Sequence, residues 1–150
     1  MVILMKYRKY ISNYRKIIKK SKNKEIIYFE GNNNILISVP HGVPQIRLGR
    51  LKYSERSTVP FAIELHNRTK SHLIIKNKCN NDDANFDENS SYKDEIMKNI
   101  YNFNYLIDIH GLSEKREMDI NLGTNIGFNI DRNPVIFDNL LDKLSINNLW

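Results

Sequence analysis

Two apolar segments that both end in His-Gly limit the folds open to this chain more than any other feature of the sequence. The first reads Ile-Leu-Ile-Ser-Val-Pro-His-Gly at residues 35–42, and the second reads Tyr-Leu-Ile-Asp-Ile-His-Gly at residues 105–111. Short apolar runs bounded by turn formers are typical of strands in a sheet that is covered on both faces. If the two strands are parallel neighbours, His41 and His110 emerge at the carboxyl edge of the sheet. Open α/β sheets bind their ligands at that edge.

The remaining patterns alternate between strands and helices, which predicts an α/β fold with right-handed crossovers. Period-2 or short apolar runs predict further strands, and apolar stripes spaced three and four residues apart predict helices. The predicted strands lie at 25–30, 72–76 and 118–122, and the predicted helices at 4–20, 60–70, 91–103 and 131–144. Residues 42–53 and the polar segment 77–90 are predicted loops. We expect one domain over residues 1–150.

The net charge of +6 comes mainly from a basic segment within residues 1–24. Its apolar stripe predicts a helix packed on the domain with a solvated basic face, and contact with RNA or a membrane surface is the alternative. Cys79 is the only cysteine, which excludes a disulfide framework and a thiolate metal cluster. No run approaches the roughly 18 to 20 apolar residues of a membrane span. We therefore expect a cytoplasmic chain with no membrane partner.

Two histidines at neighbouring strand ends predict a metal site, because neutral imidazoles are natural zinc ligands. A catalytic zinc takes three protein ligands, often two histidines and one carboxylate. Glu55 follows the first His-Gly loop and is the preferred third ligand. Glu64 is the alternative, although a pair with Arg68 at i+4 is its expected use. Asp108 shares a strand face with His110, so we expect it to orient that ligand or polarise the attacking water.

The order of these motifs resembles the N-formylglutamate amidohydrolase family, which is similar in fold to the zinc carboxypeptidases and aspartoacylases. The resemblance covers about residues 35–127. It rests on Val-Pro-His-Gly at 39–42, Ser-Glu-Arg-Ser-Thr at 54–58, Asp-Ala-Asn at 83–85 and Asp-Ile-His-Gly at 108–111. It implies a three-layer, zinc-carboxypeptidase-like fold with a mixed, mostly parallel sheet. It also implies one Zn²⁺ ion on His41, Glu55 and His110.

The resemblance further implies the substrate and the groups that bind it. The expected reaction is hydrolysis of a C–N bond in a small acyl-amino acid or peptide. The loop around Asn85, with Arg47 or Arg56, is implied to hold the substrate carboxylate, a task that suits an arginine fork. Phe86 stands where the family often has an arginine, and no counterpart of the family's general-base strand precedes Trp150.

Two other functions stay open beside this one. The chain is alternatively a truncated, non-catalytic form of the fold that needs a complementing chain or forms a homo-oligomer. It is otherwise a nucleic-acid-binding module that uses the basic first helix, which would make binding sensitive to salt. The nucleic-acid hypothesis is placed last, because it does not explain the paired His-Gly strand ends.

Overall fold

A computed structural model of the chain describes residues 16–55, 57–113, 115, 120–123, 131 and 133–146. The chain divides into two compact units, Met1–Gly111 and Leu112–Trp150. The single domain expected over residues 1–150 stays a prediction. Residues 16–20 are helical and are called α1 here; the rest of the helix predicted at 4–20 lies outside the described residues.

The described part of the first unit contains six strands and two longer helices. The strands are β1 (Ile26–Phe29), β2 (Ile35–Val39), β3 (Gln45–Arg47), β4 (Arg50–Lys52), β5 (His72–Lys76) and β6 (Tyr105–Asp108). The helices are α2 (Thr58–Thr69) and α3 (Ser91–Asn99), and a 3-10 turn, Ile100–Asn102, extends α3. Apart from the helix predicted at 4–20, these bounds confirm the predicted strands and helices of this unit to within a few residues.

Four strands form a mixed sheet in the order β1-β5-β2-β6. β2 lies between β5 and β6 and is parallel to both, whereas β1 pairs antiparallel with β5. The structure therefore confirms an α/β class with a mixed, mostly parallel sheet. It also confirms that the two strands that end in His-Gly are parallel neighbours.

Both faces of this sheet carry packed helices, because side chains alternate along each strand. On one face, Ile37 and Val39 of β2 pack in a cluster with Val59 and Ala62 of α2. On the other face, Leu36 packs in a second cluster with residues of α3, Tyr92 and Ile96. Burial of these apolar side chains is the main favourable contribution to the fold.

Two features of this unit differ from the sequence predictions. Residues 42–53 were predicted as a loop, but β3 and β4 form a two-stranded antiparallel hairpin there. β6 was predicted as a buried strand, yet Leu106 is 46% exposed and Ile107 is 42% exposed. β6 is the outermost strand of the described sheet, so it has a neighbouring strand on one side only.

The described part of the second unit contains one helix, α4 (Pro134–Ile146), close to the helix predicted at 131–144. The strand predicted at 118–122 lies partly outside the described residues, and residues 120–122 form no strand. Among the helices of the described residues, none is both long enough and apolar enough to cross a membrane.

Candidate metal centre

The site lies at the carboxyl ends of β2 and β6. Ser38 of β2 is opposite Asp108 of β6, and the Ile109 N–H donates to the Ser38 carbonyl at 2.8 Å. The chain then leaves both strands, so that the imidazole rings of His41 and His110 lie with their centroids 5.0 Å apart. The structure thus brings together the two histidines that the sequence predicted as partners.

Glycine is needed directly after His41. A Cβ on Gly42 would lie 2.8 Å from the carbonyl oxygen of Lys76 and 2.9 Å from a methyl group of Val59. The chain therefore passes close to both β5 and α2 at this point, which only a residue without a side chain permits. The close approach helps fix the backbone that carries the His41 ring, which is fully buried.

Glu55 is held at the same sheet edge by three backbone interactions. Its N–H donates to the His41 carbonyl at 3.0 Å, and its carbonyl accepts from the Thr58 N–H at the start of α2 at 3.1 Å. Its carboxylate Oε2 accepts from the Gly111 N–H at 2.7 Å. The turn before α2 and the turn after β6 therefore fix the carboxylate beside both histidines.

His41, Glu55 and His110 each offer one ligand atom, and these atoms all lie within 4.8 Å of one another. His110 Nδ1 is 3.7 Å from Glu55 Oε2. Ligands of a tetrahedral zinc ion at the usual bond lengths are roughly 3.3 Å apart, so modest side-chain movements would close the site around an ion. Two imidazoles and one carboxylate are also a donor set typical of catalytic zinc. The residues present therefore fit a zinc ion.

Asp108 interacts with the far side of the His110 ring. His110 Nε2 is 3.1 Å from Asp108 Oδ2, and Nδ1 faces Glu55. The hydrogen bonds to Asp108 and then to Glu55 raise the pKa of His110 to about 9. When the ring is neutral, a proton on Nε2 directed at Asp108 leaves the Nδ1 lone pair for a metal, the arrangement in which a carboxylate orients a histidine ligand.

Gln45 sets the orientation of the His41 ring in a similar way. The Gln45 amide donates from Nε2 to the Pro40 carbonyl at 2.9 Å, and its Oε1 accepts from the Ala84 N–H at 2.6 Å. These backbone partners fix which end of the amide is the donor, and Nε2 lies 2.9 Å from His41 Nδ1. Nδ1 must then be the acceptor, so a neutral His41 carries its proton on Nε2.

A second aspartate lies on the Nε2 side of His41. Asp83 is buried, and its Oδ1 is 3.8 Å from His41 Nε2. Burial alone would raise the pKa of Asp83, but hydrogen bonds from Arg47 and from two backbone N–H groups outweigh it and lower the pKa. Each histidine of the cluster thus has an aspartate near Nε2 and presents Nδ1 to its other neighbours.

Burial and charge affect the pKa values of the remaining two ligands differently. Burial lowers the pKa of His41, with the Glu55 carboxylate opposing that effect. Burial would raise the pKa of Glu55, but hydrogen bonds from His110 and from the Gly111 N–H outweigh it and lower the pKa. At neutral pH the cluster therefore offers one neutral imidazole and one carboxylate, both in forms that bind metal.

The residues implied to bind substrate have different positions. Arg47 donates from Nε to Asp83 Oδ2 at 2.7 Å, and its guanidinium lies 5.0 Å from the centroid of the Phe86 ring. Asn85 is exposed and donates through its backbone N–H to Asp83. Arg56 lies outside the described residues. Arg47 is thus linked to the cluster through Asp83, and the role of all three in substrate binding stays a prediction.

Glu64, the alternative third ligand, and the histidine His72 lie elsewhere. Glu64 forms the expected ion pair with Arg68, at 2.5 Å. His72 pairs with Leu36 at the amino end of the parallel strands, away from the His-Gly edge.

Sequence reasoning gave no role to three residues that contact His41, namely Gln45, Lys52 and Asp83. Gln45 and Lys52 lie in a segment predicted as a loop, where no periodicity marks a functional side chain. Asp83 begins the Asp-Ala-Asn motif, and its position in a long polar loop was the one available signal.

Comparisons with protein-family models, with curated proteins and with solved structures gave no significant match to this chain. The function is therefore inferred from the geometry of the cluster.

Proposed function

We propose that the chain is a zinc-dependent hydrolase of the N-formylglutamate amidohydrolase type, with a zinc-carboxypeptidase-like fold. It would cleave the C–N bond of a small acyl-amino acid or peptide. The observation that carries this proposal is the His41, Glu55 and His110 cluster at the carboxyl edge of two parallel strands. The order of motifs around these residues supports the choice of family.

The residues of the cluster have separate tasks in this proposal. His41, Glu55 and His110 would hold the ion, His110 through Nδ1, which faces Glu55. Nδ1 of His41 accepts from the Gln45 amide, which would have to turn away before that atom could bind metal. When bound in such a site, zinc lowers the pKa of a water molecule and polarises a carbonyl group. Asp108 accepts the Nε2 proton of His110 and holds the ring in the required tautomer. Asp83 stands in the corresponding place for His41, at the longer distance of 3.8 Å.

Arg47 is the group best placed among the described residues to receive a substrate carboxylate. It uses Nε for Asp83, and a guanidinium carries four further N–H donors. Its side chain is 37% exposed, so an anion can approach it from solvent. Phe86 packs against the same guanidinium and would limit the size of the group bound there.

A second candidate is a metal-binding domain of this fold without catalysis of its own. The two aspartates that contact the cluster each form an ion pair, Asp83 with Arg47 and Asp108 with His110. Neither is therefore a good general base for water, and general bases typically contribute about 10² to 10⁴-fold to the rate. In this candidate a complementing chain supplies the base.

Hydrolysis by the zinc-loaded protein separates the two candidates. The substrates are N-formyl-L-glutamate, other N-acyl amino acids and short peptides, with release of the free amine as the measurement. The proposal expects turnover by the wild-type protein and by His72→Ala, and none above background by His110→Ala. Zinc binding without turnover of any substrate would favour the non-catalytic candidate. Equal turnover by His110→Ala would contradict both.

A further inference from the structure

We propose that the Lys52 ammonium group lies beside the metal position of the cluster and that a metal ion must displace it to bind. Lys52 would then be a tethered cation that raises the metal concentration at which the site fills. The inference rests on the proposed metal centre and goes beyond it, since neither the sequence motifs nor the resemblance gives Lys52 a role.

Lys52 Nζ contacts two of the three residues in the cluster. It lies 2.8 Å from His41 Nδ1 and 3.2 Å from His41 Nε2. It is also 3.7 Å from Glu55 Oε1. Because Nζ is almost equally far from the two ring nitrogens, it lies over the face of the imidazole and near the carboxylate. The in-plane lone pair of Nδ1 accepts from the Gln45 amide instead.

An ammonium group this close to the cluster opposes the entry of a metal ion. Zinc binds imidazole nitrogen at about 2.0 to 2.1 Å and carboxylate oxygen at about 2.0 to 2.2 Å. An ion bound to His41 and Glu55 would lie close to Nζ, which is 2.8 Å from His41 Nδ1 and 3.7 Å from Glu55 Oε1. Repulsion between the two positive charges opposes metal binding, because repulsion between like charges is strong in a partly buried site.

The hairpin of β3 and β4 fixes the backbone position from which the Lys52 side chain reaches His41. Lys52 of β4 is directly opposite Gln45 of β3, and both side chains reach His41 Nδ1. One pair of opposed hairpin residues thus carries both side chains that contact this part of the His41 ring. The Lys52 side chain is 30% exposed, so its long, flexible stem can move the ammonium group outward to solvent when a metal ion enters.

Removal of the Lys52 charge should therefore strengthen metal binding. Hydrogen bonds to charged groups contribute about 1.5 to 3 kcal/mol, so loss of the competing contact corresponds to a gain of roughly 10 to 100-fold in affinity. A lysine that merely stabilised the site through Glu55 predicts the reverse, because its removal would loosen a ligand.

The test measures zinc affinity by competition with a chromophoric chelator for wild type, Lys52→Met and Lys98→Met. Methionine keeps the apolar stem of the lysine, and Lys98 is an exposed control that pairs with Glu95 on α3. We expect Lys52→Met to bind zinc at least about tenfold more tightly than wild type, with Lys98→Met unchanged. If the wild-type protein binds zinc and Lys52→Met binds it equally or more weakly, the inference is overturned, but the proposed metal centre stands. Absence of zinc binding in all three proteins rejects the metal centre, and the inference with it.

A second measurement on wild-type protein covers the case in which Lys52→Met does not fold. Reductive methylation followed by mass spectrometry reports how readily the Lys52 amine reacts. Displacement by zinc predicts faster methylation of Lys52 when zinc is present, with no change at Lys98. A rate at Lys52 that zinc leaves unchanged or lowers would overturn the inference.

Discussion

The two histidines of the cluster differ in protonation because carboxylates surround them differently. His110 has Asp108 on one ring nitrogen and Glu55 on the other, and its pKa is raised to about 9. His41 is buried, which lowers its pKa. A metal ion binds the unprotonated imidazole, so at neutral pH it must displace one proton, which is the proton of His110.

Asp108→Asn tests this description of His110. In the wild-type protein, zinc affinity should rise by about tenfold per pH unit from neutral pH up to about 9, because the raised pKa keeps His110 protonated below that value. The variant loses the main cause of the raised pKa, so its zinc affinity should level off at a lower pH. At pH above 9 it should bind roughly 10 to 100-fold more weakly, since an orienting carboxylate is lost.

Zinc affinity measured by competition across this pH range gives both results. Asp94→Asn, on α3, is the matched control and should follow the wild-type profile. If the zinc affinity of Asp108→Asn follows the wild-type pH profile, Asp108 neither raises the pKa of His110 nor orients its ring.

Tyr92 carries the main polar interaction beneath the site, and Tyr92→Phe should destabilise the fold. The Tyr92 hydroxyl donates to the Ile74 carbonyl at 3.0 Å, accepts from the Val39 N–H at 2.9 Å and contacts Ser38 Oγ at 2.9 Å. Removal leaves buried partners unsatisfied, at a cost of about 1 to 3 kcal/mol in the free energy of unfolding. Urea denaturation measures the change. Tyr101→Phe, at a side chain that is 96% exposed, is the control, and an equal effect of both variants would contradict the assigned role.

At the scale of the elements, the hairpin of β3 and β4 shows where sequence reasoning reached its limit. Its turn residues Leu48 and Gly49 both have positive φ, 50° and 73°. Two positive φ angles are typical of a type I′ turn, which usually begins with Asn or Asp. Leucine at this position gives no such signal, so residues 42–53 resembled a loop. Because the hairpin was not predicted, the contacts of Lys52 and Gln45 with His41 were not predicted either.

Leu48→Asn should therefore stabilise the protein. Leucine is strained at positive φ, whereas asparagine tolerates that conformation, and Leu48 is 79% exposed, so little packing is lost. We expect a gain of about 0.5 to 1 kcal/mol in the free energy of unfolding, measured by urea denaturation. Leu51→Asn, at an exposed position in β4, should give no gain. Destabilisation by Leu48→Asn would contradict the assigned turn.

At the scale of the whole molecule, the meeting of His41 and His110 could be predicted because parallel neighbours end at the same edge of a sheet. Glu55 was the preferred third ligand because it follows the first His-Gly loop, and the structure places it at the sheet edge that carries both histidines. The contact of Asp108 with His110 could also be predicted from their spacing, but other supporting contacts could not, since they join residues far apart in sequence; Gly111 and Glu55, for example, are separated by 56 positions. The position of β1 beside β5 also depends on pairing that no local pattern specifies.

The central claim is that His41, Glu55 and His110 hold one zinc ion, and metal content tests it most directly. Purified protein is loaded with zinc, passed through a desalting column and analysed by plasma mass spectrometry, for wild type, His41→Ala and His72→Ala. Circular dichroism establishes that each protein is folded. The account predicts about one zinc per chain in wild type and in His72→Ala, and loss of that zinc in His41→Ala. Folded wild-type protein without zinc, or a His41→Ala variant that retains it in full, would contradict the account.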